Sequence, residues 1–278
     1  MSTDRTLPRI RFSPARPALP WQGLVRQAGY LAWPWVLPIT LVLVWWLVTR
    51  FELIGSQVLP GPDVVLATAG DLLGNGQLQE QVAVSLQRVL LGYFAGCVVG
   101  LGLGVSMGLS ERTSDYLYPL VRLVAYVPLL GWLPLLMLWL GIGEGLKIAL
   151  VAQAALLPVT LNTCNAIRAV PKALVEVAHT YGYSTRQRLL RVILPAAFPA
   201  VWSSARYALT KSWLALVVVE LLASSEGLGF LMVDSRQLYQ MDVMLVAVAA
   251  IGLIGFLLDL ALALVERRVL RWRRGAFA

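Results

Sequence analysis

The order of apolar and charged positions divides this chain into six long apolar stretches joined by shorter polar ones. Each stretch is long enough for a helix to cross a hydrocarbon core about 30 Å thick, at about 1.5 Å per residue. Four are uncharged and two carry a few charges; they cover 27–49, 89–110, 123–143, 148–167, 199–222 and 243–265. A β-barrel would instead show short alternating strands. The pattern predicts an all-α polytopic membrane protein with six transmembrane helices.

Glycine recurs at every fourth position of the second stretch. This spacing places the glycines along one side of a helix, where a neighbouring backbone can approach closely. The five residues are Gly92, Gly96, Gly100, Gly104 and Gly108. We therefore expect this side of the helix to be a packing surface.

The third stretch contains two prolines, Pro128 and Pro134, with Gly131 between them. Prolines in this arrangement should kink or interrupt the helix. Within a membrane, a broken helix is tolerated only where it is buried in protein or lines a cavity. Two interpretations stay open: the segment, with Trp132, lines a transport pathway, or the kink serves packing alone.

The polar segment 168–198, between the fourth and fifth stretches, has the signals of two short helices. Pro171 suits a helix start, and Gly182 suits the left-handed residue that follows a helix. Ser184-Thr185-Arg186-Gln187 matches a capping box. We therefore expect one helix over 172–181 and a second over 185–194 that stops at Pro195.

The first of these two helices has an apolar side formed by Leu174, Val177, Ala178 and Tyr181. Glu176 lies off that side and is free to accept hydrogen bonds from a partner. The segment is either a docking element for another protein or an amphipathic element that lies at the membrane surface. Periodicity alone favours neither.

The distribution of charge supports a membrane protein and gives its orientation. The chain is 58% hydrophobic and 14% charged, with a mean hydropathy of +0.72. Segments 1–30, 111–116, 167–195 and 266–278 hold 16 Lys and Arg, against at most four on the opposite side. The positive-inside rule then puts both termini and segment 168–198 in the cytoplasm. It also explains the net charge of +8, so no nucleic-acid partner is expected.

These features divide the chain into three parts. Residues 1–30 form a basic, proline-rich cytoplasmic tail, and residues 31–266 form the transmembrane domain that contains segment 168–198. Residues 267–278 form a second basic cytoplasmic tail.

Lys211 lies deep in the fifth stretch, where a charge is costly and points to function. One hypothesis is that Lys211 attracts an anion in a transport pathway. The other is an internal ion pair, for which Asp259 is a candidate partner.

The chain lacks the residue patterns of an enzyme. Cys97 and Cys164 both fall in predicted spans and offer no metal-ligand spacing. None of the three lysines follows a glycine, so a Gly-Lys-Ser/Thr phosphate loop is absent. We expect no catalytic residues, cofactor or metal in this chain.

Several motifs resemble the permeases of binding-protein-dependent ABC importers over most of residues 55–274. Segment 168–198 is similar to their coupling motif, with Glu176, Ala178, Gly182 and Pro195 in place. It departs from the motif in two ways: Val177 replaces an alanine, and Ile193 and Leu194 are adjacent where the motif has one residue between them. Further motifs resemble the taurine, alkanesulfonate and nitrate branch. They are Pro60-Gly61-Pro62, Ser85-Leu86-Gln87-Arg88, Leu138 to Glu144 with Lys147, and Ser225-Glu226-Gly227-Leu228-Gly229.

The resemblance implies a bacterial inner-membrane complex. Two permease copies would pair with two cytoplasmic ATPase subunits and one periplasmic substrate-binding protein. Glu176, Ala178, Tyr181, Gly182, Ile193, Leu194 and Pro195 would couple to the ATPase, and ATP binding would open the pathway outward.

The branch also implies a small oxyanion as substrate. Alkanesulfonate or taurine is expected first, with nitrate or another small anion as the alternative. A self-contained secondary carrier is the competing class, and it would show inverted repeats or a relay of buried carboxylates.

Overall fold

The computed structural model describes residues 20–271, with side-chain surroundings from residue 35 onward. All regular structure in these described residues is helical. The chain separates into two compact units that divide after Ser56.

The first unit contains one described helix, α1 (Pro20–Arg50). The part of α1 over Trp35–Arg50 is apolar. Because α1 begins at Pro20, the second part of the predicted 1–30 tail is helical. Residues 1–19 of that tail, and residues 272–278 of the predicted C-terminal tail, lie outside the described residues.

The second unit contains the remaining helices. They are α2 (Pro62–Gly74), α3 (Gln77–Leu109), α4 (Glu111–Tyr126), α5 (Leu129–Leu140), α6 (Glu144–Arg168), α7 (Lys172–Thr180), α8 (Thr185–Arg188), a π-helical turn (Leu189–Ile193), α9 (Leu194–Ala223), α10 (Leu228–Gln237) and α11 (Met241–Val269). Helix α6 packs against both α3 and α9, and α11 packs against α2, α9 and α10.

Four helical runs of the described chain are long and apolar enough to cross a membrane: α3, α6, the run that includes α9, and α11. Helices α4 and α5 pass the same test only as a pair, and they are bent by 98° at their junction, which gives up to five spans. The all-α membrane fold is therefore confirmed, while the count of six spans stays a prediction.

The glycine row of α3 forms the contact with α6, as predicted. A Cβ atom added at Gly100 would lie 2.9 Å from the Leu156 carbonyl oxygen. One added at Gly104 would lie 2.7 Å from the Thr160 carbonyl oxygen. Side chains larger than hydrogen would push the two backbones apart, so the row sets the distance between α3 and α6.

The helix is interrupted at only one of the two prolines in the third apolar stretch. Val127 and Pro128 are extended, with ψ of 122° and 140°, and α5 begins immediately afterwards. A residue before proline is disfavoured in the helical conformation, which explains the break. Pro134, by contrast, lies inside α5 without ending it.

Candidate functional sites

Helix α7 ends in a Schellman motif centred on Gly182. The Tyr183 amide donates to the Ala178 carbonyl and the Gly182 amide donates to the His179 carbonyl, both at 3.0 Å. Gly182 has φ of +74°, the left-handed conformation that costs glycine little. The predicted role of Gly182 as the residue that ends this helix is confirmed.

The predicted capping box at the start of α8 is also present. The Gln187 amide donates to Ser184 Oγ at 3.3 Å, and the Ser184 amide donates to Gln187 Oε1 at 2.9 Å. Together the Schellman motif and the capping box fix both sides of the turn. We call residues 171–195 the coupling segment.

The expectation that the second helix stops at Pro195 is wrong. Helix α8 continues through the π-helical turn Leu189–Ile193 into α9, and Pro195 lies in the first turn of α9. The Leu194 amide bonds to the Leu189 carbonyl, five residues back. This wider turn offers a physical reason for the continuity, because proline lacks an amide hydrogen and its ring crowds the carbonyl four residues earlier.

The exposed side of α7 carries three large apolar side chains. Leu174 is 48% exposed, Val177 54% and Tyr181 80%. Glu176 is also exposed. Ala178 was expected on this side but is buried, at 6% exposure, so it supports the segment from within rather than presenting a surface.

The inner side of the coupling segment is anchored to the ends of two long helices. Val175 and Ile193 pack on a buried cluster formed by Ala166, Ile167, Val170 and Ala197. Leu194 is half-buried beside them, and Pro195 is exposed. The anchor ties the coupling segment to the C-terminal end of α6 and to the start of α9.

A cavity of about 440 Å³ opens beside the break between α4 and α5. Its walls come from that break, from α6 and from α9. Mostly apolar residues line it, and the polar exceptions are Gln153, Tyr207 and Lys211. This size falls within the ~300–1,000 Å³ range of small-molecule sites.

Two of the four residues predicted for the pathway line this cavity, namely Pro128 and Lys211. Trp132 instead packs against the buried cluster of Leu146, Leu150, Val219 and Ala223. Pro134 is an exposed residue of α5. The structure thus brings Pro128 and Lys211 together, and it gives Trp132 a packing role.

The proposed ion pair between Lys211 and Asp259 is wrong. Asp259 accepts two hydrogen bonds from Arg206, at 2.7 and 2.6 Å, and Arg206 also pairs with Glu266 at 3.2 Å. Lys211 Nζ lies 5.3 Å from the centre of the Tyr207 ring. Within the described part of the chain, no carboxylate pairs with Lys211.

A buried polar cluster joins α3, α6, α9 and the 224–229 turn. Arg88 is 3% exposed, and its guanidinium donates to Glu220 at 3.0 Å and twice to Glu144 at 2.6 Å. It also donates to the Glu226 carbonyl at 2.7 Å. We call this group, centred on Arg88, the Arg88 cluster.

The Glu220 carboxylate is only 1% exposed and accepts several further hydrogen bonds within the same cluster. Ser85 Oγ donates at 2.9 Å and the Gly229 amide at 3.0 Å. The Leu228 amide in turn donates to Ser85 Oγ at 2.9 Å. A Cβ atom at Gly229 would lie 2.6 Å from the Glu220 Cβ, so only glycine admits this approach.

Sequence reasoning did not predict that these residues meet, although it had singled out their motifs. The segments Ser85–Arg88, Glu144 with Lys147, and Ser225–Gly229 are far apart in the chain. Each places a charged or small residue beside an apolar stretch of the sequence, and this position is the signal that could have pointed to them. Lys147 completes the cluster by donating to Glu144 at 2.8 Å.

The helical bundle, its cavity and the protruding coupling segment together define a membrane-embedded transport subunit. The family model for the "Binding-protein-dependent transport system inner membrane component" matches residues 92–271. The chain belongs to this family. It is a permease subunit located in the inner membrane, and the ATPase and the binding protein of such systems are separate subunits.

Curated relatives cover nearly the whole chain. A Bacillus subtilis (strain 168) protein, SsuC, whose curated name is that of an aliphatic sulfonates transport permease, is 35% identical over 95% of this chain and 92% of its own length. The taurine transport system permease protein TauC of Escherichia coli (strain K12) is 36% identical over 84% of this chain and 86% of its own length. The predicted branch is therefore confirmed.

A solved structure shares the fold. The inward-facing MetNI methionine ABC transporter contains a chain that matches 69% of this chain and 95% of its own length, with a TM-score of 0.60 and 22% identity. At this identity the likeness supports the fold alone.

Proposed function

We propose that this chain is the permease of an ATP-driven importer for small organosulfonates, alkanesulfonates or taurine. It acts as a homodimer of six-span subunits with both termini in the cytoplasm. The observation that carries this proposal is the exposed, rigidly anchored coupling segment in a chain that has no phosphate loop of its own.

The coupling segment suits a docking role better than a role at the lipid surface. Its apolar side consists of Leu174, Val177 and Tyr181, which are exposed around a fixed turn. Two capping motifs and an inner anchor hold that turn, and such a defined shape matches a protein cleft. A lipid-bound helix needs only an apolar stripe.

A movement of the docked coupling segment would be transmitted directly to the pathway. Residues 185–223 run as one continuous helical path through α8, the π-helical turn and α9, about 58 Å long at 1.5 Å per residue. The same path carries Tyr207, Lys211 and Glu220. A movement of the coupling segment therefore moves one wall of the cavity, which is the requirement for alternating access.

The substrate is a small oxyanion for two reasons. The relatives that cover most of this chain are named for aliphatic sulfonates and taurine. In addition, the cavity holds the ammonium of Lys211 among apolar walls. Nitrate or another small anion is the alternative substrate.

A reconstitution experiment tests the proposed transport. The permease, its ATPase and its binding protein would be assembled in proteoliposomes, and uptake of labelled butane-1-sulfonate, taurine and nitrate would be measured with and without ATP. We expect ATP-dependent uptake of a sulfonate. Nitrate uptake alone would favour the alternative, and gradient-driven uptake by the permease alone would refute an ABC importer.

The coupling role is tested at Tyr181, which is 80% exposed. Tyr181→Ser should weaken association with the ATPase at least tenfold, because buried aromatic anchors commonly contribute more than about 1.4 kcal/mol to an interface. Tyr116→Ser is the matched control, since Tyr116 is equally exposed on α4. Equal ATPase binding by both variants would contradict the docking role.

A further inference from the structure

Three cavities follow one another along α6; α9 lines the first two and α4 lines the third. The first, of about 440 Å³, contains Lys211 and Tyr207. The second, of about 470 Å³, shares Tyr207 and adds Asn162, Asn165, Ser203 and Ser204. The third, of about 330 Å³, shares Asn165 and reaches Arg168. Since each shares a lining residue with the next, the three cavities are neighbours along α6.

The residues that connect these cavities lie on one stripe of each helix. On α9, Ala200, Ser204, Tyr207 and Lys211 recur at spacings of three or four, which is the repeat of a helix face. On α6, the same repeat runs from Gln153 and Leu157 down to Asn165 and Arg168. The stripe becomes more polar toward Arg168.

Lys211 differs from the other charged residues deep in the long helices. Arg88 pairs with Glu220, and Arg206 pairs with Asp259. Lys211 lies 12 residues before the end of α9, about 18 Å along the helix, and no carboxylate pairs with it in the described part of the chain. An ammonium at this depth is costly in lipid unless it faces water, protein or an anion.

We propose that Lys211 and Tyr207 form an anion subsite for the sulfonate group of the substrate, at the head of a track along α6 and α9 that ends at Arg168. This inference rests on the proposed function and specifies the substrate chemistry within it. Among the proposed substrates, such a subsite favours the alkanesulfonates, which carry one negative charge and an apolar tail, over taurine.

The surroundings of Lys211 match both parts of such a molecule. The Lys211 ammonium provides the counter-charge, and it makes a cation–π contact with the Tyr207 ring, whose centre is 5.3 Å away. The Tyr207 hydroxyl and the Gln153 amide add hydrogen-bond donors beside it. Leu157, Leu161 and Pro158 provide an apolar wall for the alkyl tail.

Along the track, Asn162, Ser203 and Ser204 can donate hydrogen bonds to the anion and so replace those it loses on leaving Lys211. Asn162 Nδ2 donates to Ser204 Oγ at 3.1 Å, and Ser204 Oγ donates to the Pro158 carbonyl at 3.1 Å. Arg168 donates to the Met107 carbonyl at 3.3 Å through one nitrogen of a guanidinium that has five donors. The far end of the track therefore holds the cation of Arg168, in a cavity that the carboxylate of Asp115 also lines.

The test is ATP-driven uptake of butane-1-sulfonate by the reconstituted complex. Lys211→Met should lower uptake about tenfold or more, as expected for loss of a charged hydrogen-bond partner, while Lys211→Arg should retain at least a third of it. Arg268→Met is the control, because it removes an exposed cation near the end of α11. Uptake by Lys211→Met within twofold of the wild type would overturn the inference.

A chemical rescue covers the case in which Lys211→Met assembles poorly. Cys97 and Cys164 are buried, so the cysteine of Lys211→Cys is the accessible thiol among the described residues. Aminoethyl methanethiosulfonate adds an ammonium through a disulfide and should raise uptake at least threefold. The sulfonatoethyl reagent adds a negative charge and should lower it. If both reagents leave uptake unchanged, position 211 does not act through its charge.

The two levels of hypothesis fail in different ways. If the wild-type complex shows no ATP-driven uptake of any sulfonate, the proposed function is wrong. If the wild type takes up butane-1-sulfonate and the Lys211 variants match it, only the anion subsite is wrong.

Discussion

The Arg88 cluster allows a quantitative prediction about the stability of the bundle. Arg88 and Glu220 are 3% and 1% exposed, and both lie between α3, α6, α9 and the 224–229 turn. In Arg88→Met the Glu220 carboxylate keeps Ser85 Oγ and the Gly229 amide but loses its cation. A buried carboxylate left without its cation lowers the free energy of unfolding by about 3–5 kcal/mol.

That cost is large enough to measure by thermal unfolding. For a chain of this size about 1 kcal/mol corresponds to roughly 2–4 °C, so the melting temperature should fall by about 6–20 °C. The assay is intrinsic fluorescence of the purified permease in nanodiscs, for which the 10 tryptophans provide the signal. Glu226→Gln is the control, because its carboxylate is 63% exposed and 4.0 Å from Arg88, and it should change stability by less than about 1 kcal/mol.

A double variant distinguishes a charge effect from simple loss of packing. Arg88→Met with Glu220→Gln removes the uncompensated charge, so it should be more stable than Arg88→Met alone. The reasoning would be refuted if Arg88→Met melted within about 2 °C of the wild type. A double variant that is as unstable as the sum of the two single variants would refute it too.

Three further predictions follow from particular positions. Gly100→Leu should destabilise the α3–α6 contact by about 1–3 kcal/mol or more through overpacking, whereas Gly102→Leu, whose Cβ position is open, should be tolerated; melting temperatures of the two variants check this. Gly182→Ala should weaken ATPase association without lowering membrane insertion. The φ of +74° at Gly182 disfavours any Cβ by about 1–2 kcal/mol, although no atom lies within 4 Å of the added Cβ position. Gly182→Asn should recover part of the binding in a pull-down with the ATPase subunit. Asp259→Asn should lower the melting temperature less than Arg88→Met does, since the Arg206–Asp259 pair is 35% and 41% exposed, and a larger fall would show that this pair is shielded from water.

Much of the fold could be predicted from local patterns. The apolar stretches gave the helices, the glycine repeat gave the contact surface of α3, and Ser184 to Gln187 gave a helix start, because each depends on residues close together in the chain. The stop at Pro195 was wrong for the same reason. A local rule treats proline as a helix breaker, whereas the π-helical turn before Pro195 lets the helix continue.

The sequence by itself determined the class of protein, most of its helices and the rigid turn at Gly182, since periodicity, charge and capping act within a few residues. Only the tertiary structure decided which charges are paired. Asp259 pairs with Arg206, the distant residues Arg88, Glu144 and Glu220 meet in one cluster, and Lys211 lies in a cavity beside Pro128. The reason is physical: a charge in a membrane is stabilised by whichever group packing brings to it, and packing is set by contacts between helices far apart in the chain.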